Sequence, residues 1–402
     1  MGTPLAVALA ILALLLVAGF ALDAGGEQAA KPRAAARAPA PDVAVIARRV
    51  EALRGLRFKR RPVPQQVTPS QARREGLADL DRSYPQRRRH ADEEVLKLLG
   101  LLEPGVDLRD VSASVFGEGV AGYYDPRTGR LGIVEGAQTA NRVLNEITLA
   151  HELTHALEDQ RFGLGLDQAS GSDDAALARL ALVEGTATAL MLEYAVRHFS
   201  AEQTLGGLLS SLGQDTGDLP PFVQAQLLFP YTAGQRFVER LYRLGGGRWA
   251  VVDAALRFRP PASTEQVLHP DSYVNVEPPR HVRTDAARVL RRGWRRLARG
   301  TWGEWATGQL LGENSAAAGW GGDAYELWQR DGGACRAPCT GRDALVMRWR
   351  WDSARDAREF ETALRAWGRE RPGPLRVASR RGQVSLVLAP TAELADRLAR
   401  QG

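Results

Sequence analysis

The sequence contains little cysteine, and this limits the kinds of metal site and scaffold it can form. Cys335 and Cys339, the two cysteines, lie in a loop rich in Gly and Pro with no His or further Cys close by in sequence. The pair alone therefore does not predict a metal site. In an exported protein this spacing favours a small-loop disulfide between Cys335 and Cys339, and two free thiols are the alternative.

The chain also lacks the composition of a disordered or fibrous protein. It has 402 residues, of which 44% are hydrophobic and 25% charged, and this is an ordinary globular composition with enough length for two domains. The formal net charge of +6 comes mostly from scattered Arg, with clusters at residues 87–89 and 291–296. No RNA- or DNA-binding signature accompanies these clusters, so we expect solvated faces and no nucleic-acid partner.

Charged residues are absent from residues 4–22, PLAVALAILALLLVAGFAL, a run close to the roughly 20 residues that span a bilayer. No Lys or Arg precedes the run, and Gly19-Phe20-Ala21 offers a small-x-small cleavage site. Residues 1–24 are thus either a cleaved signal peptide or an uncleaved membrane anchor. Both alternatives predict that the remainder lies outside the cytoplasm, secreted or held at the cell membrane. Residues 25–42, mostly Ala, Gly, Pro and Arg, predict a flexible linker.

Hydrophobic periodicity predicts an α+β fold in two parts. Residues 43–300 form a mainly helical domain with a small antiparallel sheet, and residues 301–402 form a C-terminal α+β subdomain. A Gly-rich turn at residues 319–325 marks the joint between them. The first part is predicted to have strands at 111–116, 120–124 and 131–134, and helices at about 43–101, 221–244 and 249–256. The second is predicted to have a strand at 345–351, a helix after Ser353, a hairpin of 375–379 with 384–388, and a helix from Thr391.

The stretch LAHELTHALED, residues 149–159, contains two histidines four positions apart with a glutamate after the first. On a helix, side chains at this spacing are neighbours, so His151 and His155 can reach one Zn²⁺ at about 2.0–2.1 Å. Glu152 is rotated away from the line of the pair and is placed to handle a proton rather than to bind the metal. The alternative is a helix whose two histidines are satisfied within the core.

Start and stop signals support a helix around this motif. Thr139 or Asn141 is an acceptable cap, and Gly163 or Gly165 can end the helix. Leu144 and Ile147 fall on one stripe with both histidines, so the imidazoles are predicted to face the interior.

A second helix, capped by Ser172, has an apolar stripe that Glu184 interrupts. A carboxylate on an apolar face is unfavourable unless it is paired or coordinates a metal. Since the histidine pair needs a third ligand, Glu184 is the predicted one, and an ion pair with Arg is the alternative. The weaker rival ligands are Glu158, Asp173 and Asp174.

These residues, HELTH and LVEGTA at 182–187, resemble the gluzincin branch of the zincin metallopeptidases over about a quarter of the chain. The resemblance implies a zincin-like fold and one Zn²⁺ on His151, His155 and Glu184, with Glu152 as general base and then general acid. Thr188 stands where thermolysin-like enzymes carry an Asp that orients a zinc histidine. HELTH, VEGTA and STEQVLHP together are similar to a group of exported bacterial metallopeptidase-like proteins.

Two further residues are candidates for stabilising an oxyanion in catalysis. His269 precedes Pro270 at a predicted helix end, where a purely structural role is the alternative, and Tyr273 follows four residues later. Tyr123 and Tyr124 lie in the strand before the motif, where zincin-like folds offer an edge strand to a peptide, although ordinary packing is favoured.

The function predicted from the sequence is zinc-dependent hydrolysis of a peptide or protein substrate outside the cytoplasm. The alternative is an exported non-catalytic binding or scaffold protein on a degenerate zincin-like fold. Glu152 favours the enzyme, because a structural metal site has no use for an acid-base residue beside its ligand.

Overall fold

The structure is a computed structural model that describes residues 42–118, 122–135, 142–164, 172–200, 202–203, 219–312, 315–333 and 335–401. The predicted N-terminal signal or anchor lies outside these residues, as does the predicted linker except Asp42. Val120, Thr139, Asn141 and Gly165 lie outside them too. Across the described residues the chain has the predicted α+β fold, with thirteen helices and two sheets.

Helices form most of the first part of the chain. It begins with α1 (Val43–Arg54), β1 (Pro64–Val67), α2 (Pro69–Ser83), α3 (Gln86–Leu98) and α4 (Leu108–Glu118). A hairpin of β2 (Gly122–Asp125) and β3 (Arg130–Val134) precedes three long helices, α5 (Arg142–Phe162), α6 (Asp173–His198) and α7 (Pro221–Leu244). Three short helices follow, α8 (Ala250–Arg257), α9 (Thr264–Leu268) and α10 (Pro270–Val274).

The first sheet has three strands in the order β1-β3-β2. The predicted antiparallel pairing holds for β2 and β3, while β1 pairs parallel to β3 from Pro64 against Leu131 to Val67 against Val134. The sheet is therefore mixed, and β1 was missed because the strand is short and lies between helices. At one edge of this sheet lies β2.

The predicted strand at residues 111–116 is wrong, because this segment belongs to helix α4. Leu108 and Val115 are buried in the main core and Val111 packs against it, a spacing that only a helix brings onto one face. The hydroxyl of Ser112 also donates to the carbonyl of Leu108 one turn earlier. Packing against the core thus overrides the strand preference of the valines.

The two helices that carry the predicted metal ligands have the expected ends. Helix α5 ends before Gly163, which has the left-handed φ of 66° that favours glycine. Helix α6 begins after Ser172, whose side chain accepts from the N–H of Ala175. By length and composition α6 could cross a membrane, yet most of it is buried inside the fold, as in the core helix of a globular protein.

Helices α6 and α7 touch backbone to backbone. A Cβ atom at Gly185 would lie 2.3 Å from the carbonyl of Gly234, and one at Gly234 would lie 2.1 Å from the carbonyl oxygen of Ala181. Any larger side chain at either glycine would force the helices apart. The glycine that follows Glu184 therefore holds α7, which contains Pro230 as predicted, close to the candidate ligand.

The second part is a five-stranded antiparallel sheet with helices. Its elements are β4 (Trp294–Gly300), α11 (Gly303–Leu310), β5 (Trp320–Arg330), β6 (Asp343–Trp351), α12 (Ala354–Arg369), β7 (Leu375–Arg380), β8 (Gln383–Leu388) and α13 (Ala392–Ala399). The strand order is β4-β5-β6-β8-β7. The strand at β6, the helix capped by Ser353, the hairpin and the helix capped by Thr391 lie where the sequence predicted them.

The boundary between the parts lies before the expected residue 301, because β4 pairs with β5. The predicted Gly-rich turn belongs mostly to β5, with a register shift between Trp320 and Gly322. Ala91 and Val95 of α3 pack in the same core as the sheet residues Leu327 and Met347. The first part therefore packs directly on the second.

Candidate metal centre

The motif helix α5 buries both histidines, one turn apart on its inward face. His151 is 0% exposed and His155 is 1% exposed, within a helix whose apolar neighbours Leu149 and Leu153 are also buried. Their Nε2 atoms lie 2.9 Å apart, and the rings meet nearly at right angles. The HExxH spacing thus directs two ring nitrogens at one point in the interior.

Glu184 of α6 completes the group. Its Oε2 atom lies 3.2 Å from Nε2 of His151 and 3.4 Å from Nε2 of His155, and its side chain is fully buried. Tetrahedral bonds of about 2.0–2.1 Å would place two ligand atoms about 3.3–3.4 Å apart, close to these distances. The three side chains form a buried group that can hold a metal ion.

Several polar atoms of this group are unpartnered among the described residues. Oε1 of Glu184, an oxygen that a cation could bind, is buried without a hydrogen-bond partner, and so are the outward ring nitrogens Nδ1 of both histidines. Burial opposes ionisation of Glu184, but the contacts with His155 and His151 lower the pKa of its carboxyl to about 2. The hydroxyl of Thr188, at the position of the orienting Asp in thermolysin-like enzymes, is also buried and unpartnered.

Glu152 lies beside the group without joining it. Its Oε2 accepts a hydrogen bond of 2.9 Å from the backbone N–H of Tyr124 in the edge strand β2, and its Oε1 is buried without a partner among the described residues. Burial raises the pKa of this carboxyl to about 8, although His155 acts against the shift. A carboxyl with a raised pKa, fixed at one oxygen and open at the other, is suited to accept and return a proton.

The side chains of the two strand tyrosines are occupied in packing. The hydroxyl of Tyr124 donates to Asp159 at 2.9 Å, and that of Tyr123 donates to Glu75 at 2.5 Å. These contacts agree with the favoured alternative, and the contact of β2 with Glu152 is made by the backbone N–H of Tyr124.

Tyr231 of α7 is a site residue that sequence reasoning missed. Its ring centroid lies 6.1 Å from that of His151, and its hydroxyl is buried without a hydrogen bond of normal geometry among the described residues. Burial, the charges of Glu184 and Glu152 and the close approach of the Glu184 carboxyl to this hydroxyl raise its pKa well above the usual value. The sequence predicted helix α7, but no local signal shows that α7 packs on α6 and brings Tyr231 close to His151 of the motif helix.

The rival ligands have other partners. Glu158 forms a fully buried ion pair of 2.6 Å with Arg54 of α1. Asp173 pairs with Arg88, and Asp174 accepts from the backbone and hydroxyl of Thr264. None of the three belongs to the histidine group, which leaves Glu184 as the third candidate ligand.

The structure does not bring His269 or Tyr273 to this group. Nε2 of His269 lies 2.9 Å from Glu304, a contact that raises the pKa of the imidazole, and the side chain is half exposed. The hydroxyl of Tyr273 donates to the carbonyl of Arg259 at 2.7 Å. Both residues therefore have contacts outside the histidine group.

A second group of potential ligand atoms joins α3 to the C-terminal sheet. Glu94, Cys339 and Asp343 are buried close together. Cys339 forms a disulfide with Cys335, however, and its N–H donates to Glu94. A disulfide sulfur is a poor metal ligand, because metal binding uses the thiolate. The disulfide therefore leaves the carboxyl groups of Glu94 and Asp343 as the potential ligands of this group, without a thiolate.

Comparison with known proteins covers the second part of the chain only. A family model described as a domain of unknown function (DUF8575) matches residues 288–399. No curated protein and no solved structure matches the chain. The matched residues span β4 to α13 and contain none of the histidine group.

Replacing Glu184 with Ala should abolish metal binding, because it removes one of three ligands and leaves the two histidines. Losing a residue that only hydrogen-bonds a metal ligand typically lowers metal affinity about 10–100-fold. Because Glu184 is itself a candidate ligand, we expect its loss to lower the metal affinity by more than this. Elemental analysis after dialysis against a metal buffer measures this change. The control is Glu193→Ala, which alters a partly exposed glutamate on the same helix α6, paired with Arg197 one turn later, and should retain the metal. Full metal content in Glu184→Ala, or an equal loss in the control, would contradict the assignment.

Proposed function

We propose that this protein is a zinc-dependent peptidase that acts outside the cytoplasm. The observation that carries the proposal is the convergence of His151, His155 and Glu184 on one point with the Glu152 carboxyl beside them. Two imidazoles and one carboxylate are the ligand set of hydrolytic zinc sites, which keep a fourth position open. A purely structural site would instead be closed by a fourth protein ligand.

Zinc, when bound, supplies a Lewis acid that polarises the scissile carbonyl and makes water acidic near neutral pH. The protein residues must then position the water and move its protons. Oε1 of Glu152, which has no partner among the described residues, accepts the proton of the attacking water. The same carboxyl returns this proton to the leaving nitrogen as the C–N bond breaks, and the second proton of the water follows it, so the products are a free carboxylate and an ammonium group.

The backbone of β2 supports a peptide as the substrate class. It lies at the edge of its sheet, and an extended peptide can pair with such an edge through main-chain hydrogen bonds. The Tyr124 N–H bond to Glu152 places this edge next to the general base. A peptide paired along β2 would therefore have its backbone close to the proton-transfer group.

Tyr231 has the position expected of a group that stabilises the developing oxyanion. Its hydroxyl is a donor buried near Glu184 and Glu152 and is not engaged elsewhere among the described residues. A fixed donor beside the reacting carbonyl strengthens its hydrogen bond as charge develops on the oxygen. We assign this role to Tyr231 in place of His269 and Tyr273.

The location outside the cytoplasm is part of the proposal. It is supported by the apolar run at residues 4–22 and by the disulfide between Cys335 and Cys339, a bond that persists in oxidising compartments.

Replacing Glu152 with Gln should remove hydrolysis and keep both the metal and the fold. The amide preserves an oxygen that can accept from Tyr124 but cannot take a proton, so we expect a loss of about 10²–10⁴-fold in kcat. Cleavage of fluorescein-labelled casein, measured beside metal content and circular dichroism, tests this. Activity equal to that of the unaltered protein would exclude Glu152 as the base. An unaltered protein that binds zinc and cleaves no peptide would favour a binding or scaffold role.

Replacing Tyr231 with Phe removes one hydroxyl and little volume. If this hydroxyl stabilises the oxyanion, kcat should fall by about 10²–10³-fold while KM changes little. The control is Tyr273→Phe, whose hydroxyl contacts a backbone carbonyl away from the histidine group and which should keep its kcat. An unchanged kcat in Tyr231→Phe would show that the hydroxyl has no role in the reaction.

A further inference from the structure

A cavity of about 50 Å³ lies where helices α3, α6 and α7 meet the C-terminal part, away from the histidine group. This space holds roughly three water-sized positions. Its walls combine carboxylates with aromatic rings, a lining suited to an organic cation. The polar and aromatic residues that line it include Asp92, Asp173, Asp174, Gln226, Phe222 and Trp302.

One guanidinium serves two of the three carboxylates. Arg88 lies 2.9 Å from Asp92 through Nε and also pairs with Asp173. Asp173 lies 3.2 Å from the hydroxyl of Tyr325 as well. Asp92 and Asp173 are therefore both paired with the Arg88 guanidinium.

Asp174 has no such partner. Its Oδ1 accepts from the N–H of Thr264 at 3.1 Å and from its hydroxyl at 2.5 Å. Its Oδ2 is buried without a hydrogen bond, and Asp174 takes part in no ion pair among the described residues. The residue is 3% exposed, and burial raises the pKa of its carboxyl to about 7. A buried carboxylate oxygen without a partner is unfavourable unless a cation or a proton reaches it.

Two lining residues carry further buried polar atoms that have no partner among the described residues. Oε1 of Gln226, a residue only 8% exposed, is a free acceptor, and Nε1 of Trp302 is a free donor, within the described residues. The rings of Phe222 and Trp302 stack with centroids 6.1 Å apart. Calcium would require six to eight oxygen ligands, and aromatic walls supply none. An ammonium group needs only a few acceptors and is attracted to ring faces.

We propose that this cavity binds a primary alkylammonium group, which donates hydrogen bonds to Oδ2 of Asp174 and Oε1 of Gln226. Its methylene carbons would lie against Phe222 and Trp302. A free amine, a lysine side chain and a peptide N-terminus share this chemistry. The cavity is separate from the metal centre, because Asp174 and Glu184 lie ten positions apart on α6, about 15 Å along the helix. The proposal therefore stands whether or not the protein is a peptidase.

Ligand-observed NMR titration of the purified full-length chain at pH 8 tests the proposal. The probes are n-propylammonium and its neutral counterpart n-propanol, with CaCl₂ as the metal alternative. N-acetyl-lysine amide and glycine amide then distinguish a side-chain ammonium from an α-ammonium. The variants are Asp174→Asn, which can keep an oxygen toward Thr264 but removes the charge, and Gln226→Met, which removes the acceptor at similar volume. Asp81→Asn, at a surface acid paired with Arg109, is the control.

We expect n-propylammonium to bind, n-propanol not to bind, and each cavity variant to raise Kd at least tenfold while the control leaves it unchanged. Should Asp174→Asn fail to fold, Gln226→Met carries the test. Absence of ammonium binding, equal binding of propanol, or an unchanged Kd in a folded cavity variant would overturn the proposal. Binding of Ca²⁺ without binding of the amine would overturn it as well.

Discussion

The burial of the Glu184 carboxylate against two imidazoles is the constraint on which the rest of the structure depends. Removing an ionised carboxylate from water costs several kcal/mol even in a relaxed protein interior, on the order reported for buried ion pairs. The helices α5 and α6 offset this only if both histidines reach the carboxylate, as the distances of 3.2 and 3.4 Å show they do. A bound cation would compensate the same charge more completely, and the unpartnered Oε1 of Glu184 favours that arrangement.

Packing around these helices maintains this arrangement from two sides. On one side, the contact between Gly185 and Gly234 brings α7 against α6 and thereby places Tyr231 over His151. On the other, the buried Arg54 of α1 pairs with Glu158 one turn after His155 and with Asp253 of α8. Loss of one partner of a buried pair is strongly destabilising, so α1 and α8 restrict the movement of α5. The cluster is thus held by rigid elements, as the proposed catalytic role would require.

The metal group was predictable from sequence because its geometry is mostly local. The spacing of His151 and His155 sets their common face on any helix, and Glu184 could be found as the one acid on an apolar stripe. The C-terminal elements were predictable for a similar reason, since alternation in β6 and the caps at Ser353 and Thr391 are local signals. The prediction of a strand at residues 111–116 was wrong because the burial of Leu108 and Val115 on one helix face outweighs the strand preference of this segment. The contacts of Tyr231, His269 and Tyr273 could not be predicted, because the surroundings of these residues depend on how distant helices pack.

The most direct test of this account is the metal content of the purified full-length protein, measured by elemental analysis after mild dialysis and expressed per folded chain. We expect about one zinc ion per folded chain, because three buried ligand atoms converge on one point. A ratio near zero in a sample shown to be folded by circular dichroism would contradict it. The buried histidines and Glu184 would then be a closed polar cluster without a metal.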